Sequence, residues 1–502
     1  LTAMLPDKKP YVNGSNTPVA VSSVDEVRSM GLSNGKPEIK TLKPTSKCDL
    51  TLQVDRKTLV PAQTMKKSPS LYLDEPNVFD KDEDYMQDPY CDPKNPVTIR
   101  FQDISSAAFR IKNGIINTPC NRSTLSERLN MDLFFKKDFL QCTGSFKERG
   151  ARYTLLMLSE KQKKLGVIAA SAGNHALALS HHGNDLKIPV TVVMPISAPM
   201  MKVESCRQKK AEVIVWGQDI GESKAHAMKL ARDRSLTYIN GYDHPNILAG
   251  QGTMGLEILE QVDNIDAMIV PVGGGGLICG LGLAIKTLCP GITLIGAESE
   301  TCASFSEALK NAGPIYTKVL PTLADGLAVP VVGVNAFHTA KDLVDKMVTV
   351  QESWIAISIL RLVETEKAVV EGAGAIGLAA VLSGQLPELE GKRVVIPLCG
   401  GNIDTTVLGR CLERGLAAEG RLIKFKVTVT DRPGGIAELT KRLADLKVSI
   451  KDLLHERAWI KEDIFTVQVK VVCETKDREH ADELEAMLRQ HYKKVRITSS
   501  VQ

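Results

Sequence analysis

The sequence predicts an α/β protein with two parallel-sheet subdomains whose strands are covered by helices on both faces, followed by a smaller ferredoxin-like unit. Three observations carry this. From about Thr98, short apolar runs alternate with helical patterns, the texture of buried parallel strands packed between helices. The alternation stops near Cys411. From Leu422 the order of patterns becomes strand, helix, strand, strand, helix, strand, which is the ferredoxin-like order. At 502 residues the chain exceeds one average domain and divides naturally into two or three units.

Taken in order, residues 1–97 are rich in Ser, Pro, Asn, Lys and Asp without a sustained hydrophobic period, and an irregular or disordered tail is expected. The stretch SLYLDEPNVF, 70–79, offers it a few apolar anchors. The central unit is expected over 98–415. Its strands are GVIAA before a helix from Asn174, PVTVVMP before a helix through Lys202, and EVIVWG before a helix over 220–232. AMIVPVG, TLIGAES and RVVIPLCG continue the series. A linker, LAAEGR, leads to the last unit, 421–502. There LIKFKVTVT, the turn DRPGG, the helix IAELTKRLAD and the strand VSIKDLLHERA precede DIFTVQVKVVCE, REHADELEAMLRQ and KVRIT. No repeat of fixed period occurs.

Composition narrows the function classes. The chain is 43% hydrophobic and 24% charged, and its formal charge of +4 is small for its length. No basic stripe interleaved with aromatics appears, so nucleic acid is not an expected partner. The eleven cysteines form no CxxC pair, and Cys279, Cys289 and Cys399 sit in apolar or glycine-rich segments, which suits free thiols in a reducing compartment. The first residues lack the apolar core of a secretory signal. The uncharged run 268–285 contains Pro271 and four consecutive glycines, a strand, loop and helix start in place of a membrane span. A cytoplasmic location without membrane contact is expected.

Four motifs carry chemistry. SFKERGA, 145–151, places Lys147 at the start of a helix running to Leu158, where the helix dipole and partial burial lower an amine's pKa. A neutral lysine amine attacks an aldehyde; taken alone, a solvated helix lysine is the commoner reading. SAGNHA, 171–176, lies between a strand and a helix, where backbone amides can grip a carboxylate. An ordinary N-cap fits it equally well, and His175 alone reads as structural. PVGGGGL, 271–277, follows a strand and precedes a helix. Its four glycines leave unobstructed amides to wrap a phosphate, yet it is neither a Walker loop nor GxGxxG. PLCGGNID, 397–404, again follows a strand, with Cys399 a buried thiol by default.

In this order the four motifs closely resemble the serine/threonine dehydratases of the fold-type II pyridoxal-phosphate family. The resemblance runs from about Thr98 to Cys411, through TLADGLAVP at 322–330 and VEGAGAIGLAA at 370–380. It implies pyridoxal 5'-phosphate as cofactor, with its aldehyde on Lys147 and Phe146 packed against its ring. Asn174 would bind the ring hydroxyl, Gly273, Gly274, Gly275, Gly276 and Leu277 the phosphate, and Cys399 the pyridine nitrogen. Ser171, Gly173, Asn174 and His175 would grip the substrate carboxylate. The implied reaction turns L-threonine and L-serine into 2-oxobutanoate and pyruvate plus ammonia, with Lys147 as base on the α-proton and the cofactor phosphate protonating the leaving hydroxyl. The last unit resembles an ACT regulatory domain, in which the loop around Asp431, Arg432, Pro433 and Gly434 helps bind an amino-acid effector; a packing role alone is the alternative. A homo-oligomer is expected.

The sequence departs from the family in four places. Leu177 and Ala178 stand where Gln and Gly usually follow SAGNHA. Cys399 replaces the serine of many relatives; either is a neutral donor and leaves the ring a moderate electron sink. Relatives that bind a divalent cation use an acid matching Glu298 and another six residues on; here Ser304 stands there, so no metal is expected. The long tail is the fourth. Three rivals follow. A racemase of this fold needs a donor on the second face, which serine racemases supply with a serine where this chain has Ala172. A β-replacement enzyme usually carries a different lysine motif. A non-catalytic amino-acid sensor has no need to retain Lys147, Asn174 and the four glycines together.

Overall fold

Ala267–Pro271 is buried along its whole length because both of its faces are apolar. Ala267 and Ile269 join one hydrophobic cluster, while Met268 and Val270 join another on the opposite side. Strand periodicity of two makes this division automatic. Each fully buried Ile or Val stabilises the fold by about 1.5–3 kcal/mol. A computed structural model describes residues 88–458 and 464–498 of the chain.

The larger sheet runs Cys120–Arg122, Asp132–Lys136, Arg393–Pro397, Ala267–Pro271, Thr293–Ser299 and Lys346–Val350. Only Cys120–Arg122, at one edge, is antiparallel to its neighbour. Helices Pro245–Gln261 and Gly276–Leu288 pack on one face, through residues such as Leu248, Ile258, Ile278 and Leu281. Helices Glu352–Glu366 and Gly372–Leu382 pack on the other, through Ile355, Ile359 and Ile376. A second sheet is wholly parallel, in the order Glu212–Val215, Val190–Met194, Val167–Ala170, Thr237–Tyr238. Four sheet strands were not in the sequence reading: Cys120–Arg122, Asp132–Lys136, the two-residue Thr237–Tyr238 and Lys346–Val350. The first and last are edge strands, and edges need no continuous apolar run.

The third sheet is antiparallel, Ser449–Glu456, Thr466–Glu474, Leu422–Thr430, Val495–Thr498, with helices Gly435–Asp445 and Arg478–His491. This is the strand–helix order expected of the last unit. Its core, built around Phe425, Val469, Leu439 and Leu484, draws on no buried residue before Ile423. The expected linker LAAEGR is shorter than read. Helix Thr405–Ala418 takes up its first residues, and Gly420, at φ +72°, ends the run. Arg421 then pairs with Glu364, and Lys451 with Glu413, so the last unit is tied to the helix pair that precedes it.

Of the expected tail, residues 1–87, including the anchor at 70–79, lie outside the described residues. Residues 88–97 carry no helix or strand. They are docked: Asn335 Nδ2 donates to the Tyr90 carbonyl at 2.7 Å, and the Val97 amide donates to Asn335 Oδ1 at 2.7 Å. Among the described residues, no helix is long and apolar enough to cross a membrane.

Candidate active site

The turn before Lys147 is sewn to the loop after Arg393–Pro397. The Phe146 amide donates to the Cys399 carbonyl at 2.9 Å, the Gly401 amide to the Gly144 carbonyl at 2.9 Å, and Ser145 bridges Gly400. Two motifs more than 250 residues apart thus become one wall. Lys147 opens helix Lys147–Met157. Arg149, fully buried one residue beyond Glu148, anchors that helix by pairing with Asp138 at 2.7 Å and Glu257 at 2.7 Å. Removing one partner of such a buried pair costs about 3–5 kcal/mol, so the helix start is held firmly. Lys147 Nζ donates to the Gly241 carbonyl at 2.7 Å and lies 5.1 Å from the Phe146 ring centre. Burial pushes the amine's pKa down to about 8, against the opposing pull of the Glu371 carboxylate. About a tenth of the amine is therefore neutral at pH 7, far more than for a solvated lysine.

The glycine loop follows Ala267–Pro271 and enters helix Gly276–Leu288, with Gly275 in the left-handed region at φ +88°. Gly273 to Leu277 are all buried. Among the described residues, none of the amides of Gly273, Gly274, Gly275, Gly276 and Leu277 donates to another protein group. Five buried N–H groups without a protein acceptor at a helix N-terminus form a cradle suited to an anion, because buried backbone donors are almost always paired. Tyr242 packs against Gly274 and Gly276, and its neighbour Gly241 holds the Lys147 amine. The lysine and the cradle therefore share one segment.

SAGNHA follows Val167–Ala170 and opens helix Asn174–Leu186. The Ser171 amide is taken by Val193 and the Gly173 amide by Ser171 Oγ. The Ala172, Asn174 and His175 amides donate to no other group among the described residues. The His175 ring does not face this opening: its Nε2 lies 3.1 Å from the Ile239 carbonyl. Burial, with Lys147 nearby, pushes its pKa down to about 3, so the ring is neutral and Nε2 carries the proton donated to Ile239. Its remaining offer to a carboxylate is its backbone amide.

Cys399 is buried, and burial drives its thiol far above the usual range, with Asp138 and Glu371 adding to the effect. It remains a neutral S–H, which here donates to the Pro397 carbonyl at 3.4 Å, a contact it would exchange for a ring nitrogen. Two side chains the sequence reading passed over complete the wall. Asn174 Nδ2 donates to Glu371 Oε1 at 2.7 Å, and Asn402 Nδ2 donates to Asn174 Oδ1 at 2.8 Å and to the Thr143 carbonyl at 2.7 Å. Burial pushes Glu371 up to about 7; Asp325 adds to this and Asn174 opposes it. Glu371 stands at the start of VEGAGAIGLAA, where an acid reads as an ordinary helix N-terminal residue. Asn402 belongs to the quoted CGGNID. Glu298 instead accepts from the Phe305 and Ser306 amides at 2.7 and 3.0 Å and from Ser306 Oγ at 2.6 Å. These three donors give it a capping role at helix Ser304–Lys310.

The three loops sit at the carboxyl ends of parallel strands, where α/β sheets bind ligands. A primary amine near neutrality, an anion cradle and a neutral buried donor converge on one opening. That set fits an aldehyde-bearing phosphate ester with a ring nitrogen. The family of pyridoxal-phosphate dependent enzymes matches residues 111–400, which include the first three motifs and the PLCG that opens the fourth. The chain belongs to this family. It is 38% identical over 391 residues to an L-threonine ammonia-lyase of Thermotoga maritima, spanning 78% of this chain and 97% of that one. The match is longer than 111–400. The processed form of threonine deaminase isoform 2 of Solanum lycopersicum superposes with a TM-score of 0.60 at 31% identity, covering 64% of this chain and 95% of that one. Serine racemase of Dictyostelium discoideum superposes with a TM-score of 0.58 at 34% identity, covering 61% and 100%. As a pyridoxal-phosphate enzyme, this chain has in Lys147 an amine suited to the cofactor aldehyde.

Proposed function

We propose that this chain is an ammonia-lyase that removes water and then ammonia from L-threonine, and also accepts L-serine, giving 2-oxobutanoate or pyruvate. One observation carries the reading. The partly neutral Lys147 amine faces the same opening as the free amides of 172, 174 and 175, so a proton acceptor and a carboxylate grip serve one amino acid. The names of the relatives at 38% and 31% identity support the substrate.

Bound here, pyridoxal phosphate would supply an electron sink for the carbanion at the substrate's Cα. Lys147 would hold its aldehyde carbon, Gly273, Gly274, Gly275, Gly276 and Leu277 its phosphate, Asn174 its ring hydroxyl and Cys399 its ring nitrogen, with Phe146 against the ring. The amides around Gly173 fix the substrate carboxylate, which orients the Cα–H bond toward the Lys147 side. Lys147 Nζ would take the α-proton as general base; its lowered pKa suits that work near neutral pH. Glu371, near neutrality itself and bonded to Asn174, keeps the amide of Asn174 turned toward the opening. Cys399 stays protonated, so the partner it would offer the ring nitrogen is a neutral one, and the ring would then act as a moderate electron sink.

Racemisation is the rival, since serine racemases share the fold. It needs a second proton donor, and Ala172 has none to offer. With L-threonine, L-serine and D-serine assayed for keto acid and for enantiomer, the wild-type chain is expected to form keto acid from the L-substrates with little D-serine. Ala172→Ser is expected to raise the racemisation-to-elimination ratio several-fold. An unchanged ratio would remove the face argument, and absence of keto acid from both L-substrates would remove the proposed activity.

The unit over 421–502 is read as an ACT-type regulatory module for an amino-acid effector, in a homo-oligomer. Its self-contained core and the ion pairs through Arg421 and Lys451 suit a module that folds on its own pattern and acts on its neighbour. Such a module works only by binding unequally to two states of the enzyme. Ending the chain before Leu422 is expected to preserve turnover and to abolish any shift in substrate dependence caused by isoleucine, valine, threonine or serine. Steady-state kinetics of both chains with each amino acid check this. An identical response in both would place control in the catalytic unit.

A further inference from the structure

Around Glu148, the residue after Lys147, lies a cluster the reaction does not use. A carboxylate oxygen of Glu148, the Cys142 thiol and a ring nitrogen of His181 lie within 4.8 Å of one another. Cys142 is exposed, His181 half-buried and Glu148 fully buried. Glu148 Oε1 accepts from the Thr143 amide. Glu148 Oε2 is buried without a hydrogen-bond partner; His182 Nε2 is 3.2 Å away, close enough for charge attraction but off the hydrogen-bond direction. Burying a carboxylate oxygen without a donor costs about 1–3 kcal/mol or more, so the site is short of a positive partner. Arg152 Nη1, which can only donate, lies 3.1 Å from His182 Nδ1, so the ring proton sits on Nε2 and Glu148 Oε2 has a neutral neighbour there in place of a cation.

We propose that Cys142, Glu148 and His181 form a binding site for one thiophilic divalent cation of the zinc class, with water as the fourth ligand. Thiolate, imidazole and carboxylate are the donors this ion prefers, at about 2.3, 2.0 and 2.1 Å. Tetrahedral geometry then sets donor–donor distances near 3.5 Å, so the cluster contracts by about 1 Å on binding. Cys142 sits in an exposed turn and can make that movement. The thiol proton passes to solvent, and the two negative ligands neutralise the ion's charge. The site is distinct from Glu298, whose oxygens are taken by a helix start. It joins the turn ahead of Lys147 to helix Asn174–Leu186, the element that begins with Asn174. An ion here braces the two walls of the catalytic opening against each other.

The test uses the holoenzyme, reduced, freed of metal with a chelator and passed through gel filtration with zinc. The wild type is expected to retain about one zinc per chain, and Cys142→Ser and His181→Ala to bind it at least about tenfold more weakly. Cys289→Ser, which removes another exposed thiol, is expected to match the wild type. Iodoacetamide labelling, read at the Cys142 peptide, is expected to slow with zinc and not with magnesium. Equal retention by Cys142→Ser and His181→Ala, loss of zinc in Cys289→Ser, unchanged labelling at saturating zinc, or no retention by the wild type would each overturn the site.

Discussion

Lys147→Ala is expected to lower turnover of L-threonine by about a thousandfold or more and to abolish the visible absorbance of lysine-bound cofactor. Two functions vanish together. The covalent anchor for the cofactor aldehyde is lost, and so is the general base, which by itself is typically worth about 10²–10⁴ in rate. The fold should survive. The helix that Lys147 opens is held by Arg149 with Asp138 and Glu257, none of which touches the lysine amine. The amine makes a single protein hydrogen bond, to the Gly241 carbonyl, and an unpaired carbonyl at the edge of an open cleft can turn to water. A thermal midpoint within a few degrees of wild type, with absorbance and turnover gone, therefore assigns the loss to chemistry. Turnover near the wild-type rate would show that another group takes the α-proton. Glu371 would then be the candidate, as the other nearby group titrating close to neutrality.

The parts of this molecule that could be read from its sequence share a physical origin. Strands such as Ala267–Pro271 and Val190–Met194 are apolar on both faces, and a run of that kind has few other places to go. The antiparallel unit was legible because Leu422–Thr430 and Thr466–Glu474 alternate buried with less buried residues along their length. Lys346–Val350 was not, since as an edge strand it keeps polar residues and borrows its burial from a neighbour. In the site, the residues that declared themselves were those whose chemistry depends on type and on a glycine-rich setting: Lys147, Asn174, the four glycines and Cys399. Glu371, Asn402 and the Gly241 carbonyl act through contacts between segments far apart in the chain. No local pattern marks them. The Gly241 contribution is a backbone oxygen, invisible in any list of side chains. The His175 ring is the converse case. Its position in SAGNHA suggested a hand on the substrate, but the Ile239 carbonyl already claims its donor.

That dependence on backbone makes the glycine cradle the place where a single methyl group should do most harm after Lys147 itself. A Cβ on Gly276 would lie 2.5 Å from the Tyr242 carbonyl oxygen and 3.2 Å from Tyr242 Cα and C, all backbone atoms that no rotamer change can move. The loop or the Tyr242 segment must shift. A loop shift spoils the convergence of the five free amides, and a Tyr242 shift drags the Gly241 carbonyl that positions the Lys147 amine. Losing one or two hydrogen bonds to a charged phosphate costs about 1.5–3 kcal/mol each, or roughly ten- to a hundredfold and more in affinity. Gly276→Ala is accordingly expected to raise the cofactor's Kd by at least about tenfold, with turnover largely restored by excess pyridoxal phosphate. Gly291→Ala is the control, because a Cβ there meets nothing within 4 Å; it should bind cofactor as the wild type does. Titration of the cofactor-free proteins by absorbance measures both. Excess cofactor that fills Gly276→Ala but leaves it inactive would mean that the damage runs through Gly241 to the lysine. An unchanged Kd would mean that these amides do not hold the phosphate at all.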